Sequence, residues 1–361
     1  MILFNDFKAH YASIQADVDA AVHRVLASGW YLLGEELQAF EACFGDHVGA
    51  RHVVGVGCGT DAITLALMAL NVGSGDEVIT SNLTAFPTIV GIMQTGATPV
   101  VVDIEADTGL IDPAAIAPAI TSRTRAVIPV HLYGQSCDLD PIVDISAAYD
   151  LKVVEDCAQS VGAPYRRRTI GTIGTLGCFS FYPTKNLGAF GDAGAVTTDD
   201  PNLFERLLQM RDCGQSRRYY HDFRGINSRM DELQAAILTA KLPHLEEWTA
   251  RRRQISLEYR KRLPSSWLLA ERDYGRSVCH LFAIKVPDRN EFIDRMGAGG
   301  VQTLIHYPVP INRQKAFPAR KSLSFPVTEK FCANVVSLPL YPGLSDEQID
   351  RISTTATAAL T

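Results

Sequence analysis

The stretch His52-Val53-Val54-Gly55-Val56-Gly57-Cys58-Gly59-Thr60-Asp61-Ala62 decides the fold: a short apolar run, a glycine turn and the opening of a helix. His52–Val56 reads as a buried strand, and Thr60 to Asn71 as a helix with Ile63, Leu67 and Leu70 on one face. The same alternation continues outward. Glu77–Ser81, Pro99–Asp103, Ala126–Val130 and Lys152–Asp156 read as strands, with helices expected over Pro87–Thr95 and Pro141–Asp150. Cys178–Phe181 and Ala195–Thr198 add two strands close together. Continuously apolar strands that alternate with helices predict an α/β fold, a largely parallel sheet covered on both faces.

After Pro201 the texture changes. Helices are expected over Pro201–Arg211, Met230–Lys241 and Leu242–Leu263, the last carrying Arg251-Arg252-Arg253 on what reads as a solvated face. Residues 264–361 mix the strand-like Cys279–Val286 with a helix over Asp346–Ala359. The expected division is a large domain with an N-terminal arm over 1–241 and a smaller C-terminal α+β domain over 242–361. A length of 361 residues, at about 150 per domain, agrees with two.

With 34 Lys+Arg against 40 Asp+Glu the formal charge is −6, which disfavours general nucleic-acid binding. No apolar run is long enough for a membrane span, and Met1–Lys8 lacks the basic-then-apolar order of a secretory signal. The eight cysteines form no C-x-x-C pair, so zinc-ribbon spacing is absent and no metal is expected; Cys157 and Cys178 read as core residues. A cytoplasmic protein is the expectation.

Three places carry chemistry. The Gly57-Cys58-Gly59-Thr60 turn leaves free N–H groups at a helix start, where an anion such as phosphate is favoured. It also fits G-x-G-x-x-A, but the next strand ends in Ser81-Asn82 rather than a ribose-binding acid, which weakens a dinucleotide reading. Asp156 closes an apolar strand where open α/β sheets keep ligands, placed to hold a protonated ring nitrogen or to cap the following turn. Lys185, fenced by Pro183 and Gly188, is held in a loop, where loss of solvent would make its amine a Schiff-base nucleophile.

These segments, in this order, resemble the sugar aminotransferases, pyridoxal-phosphate enzymes of fold type I. The matching stretches are Gly59–Ala62, Gly75–Ile79, Ile128–Gly134, Glu155-Asp156-Cys157-Ala158-Gln159, Ser180–Gly188, Asn227–Glu232 and His306-Tyr307-Pro308, spread over about nine-tenths of the chain. The resemblance implies that Lys185 carries the internal aldimine and then moves the substrate proton. Asp156 would pair with the pyridinium nitrogen and Gln159 would bond the ring's phenolic oxygen. Thr60, Ser180 and the backbone of Gly59 and Asp61 would hold the phosphate. Phe86 would lie over the ring, although its setting, Asn82–Thr88, departs from the Thr-Phe-x-Ala-Thr usual in the family. Asn227 would reach the phosphate of a neighbouring subunit's cofactor, making a homodimer with shared sites; alone it reads as a helix N-cap.

For the substrate, the resemblance implies a nucleotide-linked keto-sugar aminated with nitrogen from L-glutamate. Arg217–His221, with Arg218 and Tyr220, is assigned to the diphosphate. Arg166–Arg168 resembles an exposed hairpin tip. Tyr31, Tyr182, His306 and Tyr307 are assigned to the sugar, with buried packing the alternative for Tyr31. Relatives that aminate C3 of dTDP-linked 3-keto-6-deoxyhexoses show H-Y-P-x-P-x-H where this chain has His306–Asn312, with Asn312 replacing the last His; this favours C3 over C4. Sugar dehydration is disfavoured because dehydrating relatives carry His at the position of Lys185. A non-catalytic sensor of pyridoxal phosphate or nucleotide-sugar is disfavoured by the complete Lys185, Asp156 and Gln159 set.

Overall fold

The apolar runs become five-residue strands. The structure, a computed structural model, describes residues 1–317 and 323–359. An arm of α1 (Phe7–Ser13) and α2 (Gln15–Ser28) leads through α3 (Glu35–Val48) to β1 (His52–Val56) and α4 (Gly59–Ala69). There follow β2 (Glu77–Ser81), α5 (Phe86–Gln94), β3 (Thr98–Val102), β4 (Thr124–Ile128), α6 (Leu139–Ala148) and β5 (Lys152–Asp156). A two-residue hairpin, β6 (Pro164–Tyr165) with β7 (Arg168–Thr169), bears the exposed Arg166 and Arg167 at its tip, as expected. Next come β8 (Leu176–Ser180), β9 (Gly194–Thr198) and α7 (Pro201–Met210).

Seven strands form one sheet in the order β1-β9-β8-β5-β4-β2-β3. The run from β3 to β8 is parallel, whereas β9 is antiparallel to both β1 and β8. Both faces are covered. Val54, Val56, Val154, Cys178 and Val196 join one core with α4 and α7, while their neighbours Val53, Phe179 and Ala195 join a second core with Phe40 and Phe44 of α3. This two-residue alternation, apolar on each side, explains why the strands read as unbroken apolar runs.

Beyond an exposed hairpin of β10 (Gln215–Arg217) and β11 (Tyr220–His221) lie α8 (Glu232–Lys241) and α9 (Leu245–Arg262). Pro243 gives the expected Leu242–Leu263 helix a short 3₁₀ start, Leu242–His244, before α9 proper. The remainder is β12 (Phe282–Lys285), α10 (Arg289–Ala298), α11 (Pro326–Asn334), β13 (Val335–Leu338) and α12 (Asp346–Ala358). β12 and β13 pair antiparallel, and Ile284 and Val336 share a core with Tyr259, Phe292 and Ile352. β12 is shorter than expected because His280 spends its backbone N–H on the carbonyl of Tyr133 instead of on a strand.

The reading of Arg251–Arg253 as a solvated face is overturned. Arg252 is only 6% exposed, and its Nη1 donates to the carbonyl of Leu340 at 2.6 Å. Arg251 donates to the carbonyl of Leu344 and to Asp346, and Arg253 to that of Ser277. The three guanidinium groups tie α9 to the connecting segments around it. All eight cysteines are free. Among the described residues, no helix is long and apolar enough to cross a membrane.

Candidate active site

The site forms where β1, β5 and β8 end. The amide of Gly59, first in α4, has no acceptor among the described residues, and that of Thr60 meets only the Cys58 thiol, as the opening turn of a helix allows. Glycine is needed at position 59: a Cβ there would stand 2.7 Å from the Cβ of Ser180, so the turn lies flat against the end of β8. Ser180 itself is half-buried. The Asp61 carboxylate accepts from Ser228 Oγ at 2.6 Å, and its amide lies 3.5 Å from Cys58 Sγ.

Asp156 is buried at the end of β5. Its Oδ2 accepts from Thr88 Oγ1 at 2.8 Å and its Oδ1 from the amide of Ala158 at 3.1 Å, so it caps its own turn while facing the cleft. Lys185 sits in the loop between β8 and β9, held by a bond from its amide to the carbonyl of Tyr182. Its Nζ has no partner among the described residues. Desolvation lowers its pKa to about 8, against the opposing pull of the Asp156 charge. The charge of Asp156 is therefore close enough to act on the lysine.

Gln159 is fixed at both ends. Its Oε1 accepts from the amide of Tyr133 and its Nε2 donates to the hydroxyl of Tyr307, each at 2.9 Å. Tyr133, at φ 61°, in the region that favours glycine, also donates its hydroxyl to the carbonyl of His306. Burial, with the Lys185 charge, brings His306 down to about 4, and its Nδ1 meets Ser337 Oγ at 2.9 Å. Burial pushes Tyr307 up to about 12. Phe86, half-buried at the start of α5, packs beside Ile89, Val101 and Ile311.

Other expected residues are exposed in the single chain. Tyr31 is 51% exposed, so it is not packed inside its own chain, and Tyr182, Arg218, Tyr220 and Asn227 are exposed too. Arg217, not Arg218, covers the Tyr220 ring, at 3.8 Å, while Arg218 lies over Tyr219. The N-cap of α8 is Asp231, so the capping alternative for Asn227 falls. Asn312 is buried and bonded to Asn82 in both directions, which takes it off the surface that could read a sugar. Sequence reasoning missed Thr88, Tyr133 and Asn82 as partners. All three lie in quoted segments, but each acts on a residue at least 26 positions away.

The buried cluster His131, Glu155 and Cys157 has metal-ligand chemistry, yet its atoms are engaged. Glu155 accepts from His131 and from the amides of Gly171, Ile173 and Gly174, and His131 Nδ1 accepts from the amide of Cys137. Burial alone would raise the Glu155 pKa, but these donors lower it.

A desolvated amine, a buried carboxylate across the cleft and free helix amides at its edge suit an aldehyde, a ring nitrogen and a phosphate on one small molecule. On this sheet that is the site of a fold type I aminotransferase dependent on pyridoxal phosphate. The chain belongs to the DegT/DnrJ/EryC1/StrS aminotransferase family, whose profile matches residues 12–357. It is 45% identical over 354 residues to a dTDP-3-amino-3,6-dideoxy-alpha-D-galactopyranose transaminase of Aneurinibacillus thermoaerophilus, covering 98% of each chain. To a dTDP-3-amino-3,4,6-trideoxy-alpha-D-glucose transaminase of Streptomyces venezuelae it is 44% identical over 354 residues, covering 97% of this chain and 93% of that one. The crystal structure of S. venezuelae DesV in complex with a ketimine intermediate superposes with a TM-score of 0.96 at 42% identity, covering 100% of this chain and 99% of the other. The chain is a sugar aminotransferase.

Proposed function

We propose that this enzyme moves nitrogen from L-glutamate to C3 of a dTDP-linked 3-keto-6-deoxyhexose. The observation that carries the chemistry is the desolvated amine of Lys185, on which the charge of the buried Asp156 acts. The position on the sugar is supported by His306-Tyr307-Pro308-Val309-Pro310 and by two relatives whose names specify 3-amino dTDP-sugars.

Pyridoxal phosphate, when bound, supplies an electron sink. The residues do the rest. With the cofactor bound, Lys185, with its pKa near 8, would present a neutral amine to the aldehyde and would hold and move the proton at the substrate carbon. Asp156, braced by Thr88, would keep the ring nitrogen protonated. Gly59, Thr60, Ser180 and the Asp61 backbone would hold the phosphate, Phe86 would cover the ring and Gln159 would meet the phenolic oxygen. His306 stays neutral at working pH and, with Tyr307, walls the sugar side.

Asn227, Arg218, Tyr220, Tyr182 and Tyr31, exposed on one chain, act across the interface of a homodimer in this reading, with the large domain over 1–241 and the small one over 242–361. The test is product NMR after incubation with glutamate and either dTDP-3-keto or dTDP-4-keto sugars. A new C–N bond at C3 is expected; amination at C4 alone, or none, overturns the assignment.

A further inference from the structure

The turn before α4 carries an acid where an acid is a hazard. Asp61 is the third residue of α4, and a carboxylate there is drawn to the N–H groups that open its own helix. Those are the groups that suit a phosphate, which brings about two negative charges of its own. A loose Asp61 side chain would compete with that anion for the amides and repel it.

The side chain is engaged elsewhere. Among the described residues no backbone amide donates to the Asp61 carboxylate; its partner is the hydroxyl of Ser228, 167 residues further on, at 2.6 Å. The polarity of this contact is fixed. The amide of Gly57 can only donate, and it meets Ser228 Oγ at 2.9 Å, so the single hydroxyl proton is left for Oδ2 of Asp61. Ser228 is 1% exposed, and its own amide donates to the carbonyl of Arg211, which anchors the hydroxyl in place. Glycine at position 57 makes room for the pair: a Cβ there would stand 3.3 Å from both Asp61 Oδ2 and Ser228 Oγ.

We propose that Ser228 is a positioning residue for the cofactor: by latching the Asp61 carboxylate beside Gly57, it keeps the open end of α4 clear for the phosphate. Ser228 acts through Asp61 and does not itself meet the phosphate. The inference deepens the reading given above to this turn and rests on it.

The experiment is equilibrium binding of pyridoxal phosphate, and of pyridoxal without the phosphate, to apoprotein and variants. Ser228→Ala frees the carboxylate and should bind pyridoxal phosphate about tenfold more weakly, with pyridoxal binding unchanged. Adding Asp61→Asn removes the charge, so the double variant should recover most of the lost affinity. A purely structural role could not give that recovery. If Ser228 mattered only for the shape of the turn, or for its exposed neighbour Asn227, neutralising Asp61 would repair nothing. Undiminished binding in Ser228→Ala, equal weakening toward both ligands, or no recovery in the double variant overturns the proposal. Gly59→Ala tells which reading has failed. If it weakens pyridoxal phosphate but not pyridoxal while Ser228→Ala weakens neither, only the latch is wrong; if neither variant tells the two ligands apart, the turn does not hold the phosphate.

Discussion

Lys185 is chemically useful because of what the cleft withholds from it. With its pKa near 8 it is partly neutral at pH 7–8, whereas an exposed lysine would be almost wholly protonated. The sign is simple: the reactive form accumulates above the folded pKa. The rate at which apoprotein forms the yellow Schiff base should rise with pH and level off above about pH 8, followed by stopped-flow absorbance. A rate still climbing at pH 10 would mean an ordinary solvated amine. Lys185→Ala should remain folded, since it removes a desolvated amine without a partner, and should complete no turnover with glutamate and sugar. Thr88 is the quieter member of the site. Thr88→Val keeps the shape but strips a donor from the buried Asp156, at about 1–3 kcal/mol of stability by denaturant titration, with weaker cofactor retention.

At the scale of elements, the turn before α4 shows how much a sequence can reveal. The order strand, glycines, helix was legible because backbone conformation is local. The collision that forbids a Cβ at position 59 was not, because Ser180 stands 121 residues away on β8. Gly59→Ala should push the turn off Ser180 and weaken cofactor binding while leaving the secondary structure intact, checked by cofactor titration beside circular dichroism. The arginine run of α9 shows the opposite failure. Charge in a helix suggests water, yet long guanidinium stems pack inside when backbone carbonyls wait at their tips, and those carbonyls belong to residues 24 to 93 positions further on. Likewise nothing near Asn312 in the sequence announced that its partner would be Asn82, 230 residues away in the chain.

For the whole molecule, the exposed aromatics matter most. Trp30 at 63%, Tyr31 at 51%, Tyr219 at 77% and Tyr220 at 55% are a poor surface for a lone chain in water. Sedimentation should show a dimer, and a mixture of two inactive variants should test whether its sites are shared. Lys185→Ala and Asn227→Ala chains, exchanged in equal amounts, should recover about a quarter of full activity, because each mixed dimer regains one intact site. No recovery would place Asn227 in its own chain's site. The sheet and its flanking helices were legible from periodicity; which exposed groups would meet a second copy is not written in any local pattern. One last consequence concerns the bonds by which Asn82, just past β2, accepts from the backbone of Ile311 and Asn312 and donates to the side chain of Asn312. They rivet the C-terminal rim of the cavity to the rigid floor, a few residues from His306, so the aperture on that side is preset before any guest arrives. Adjustment to different guests must come from the opposite, solvent-facing rim.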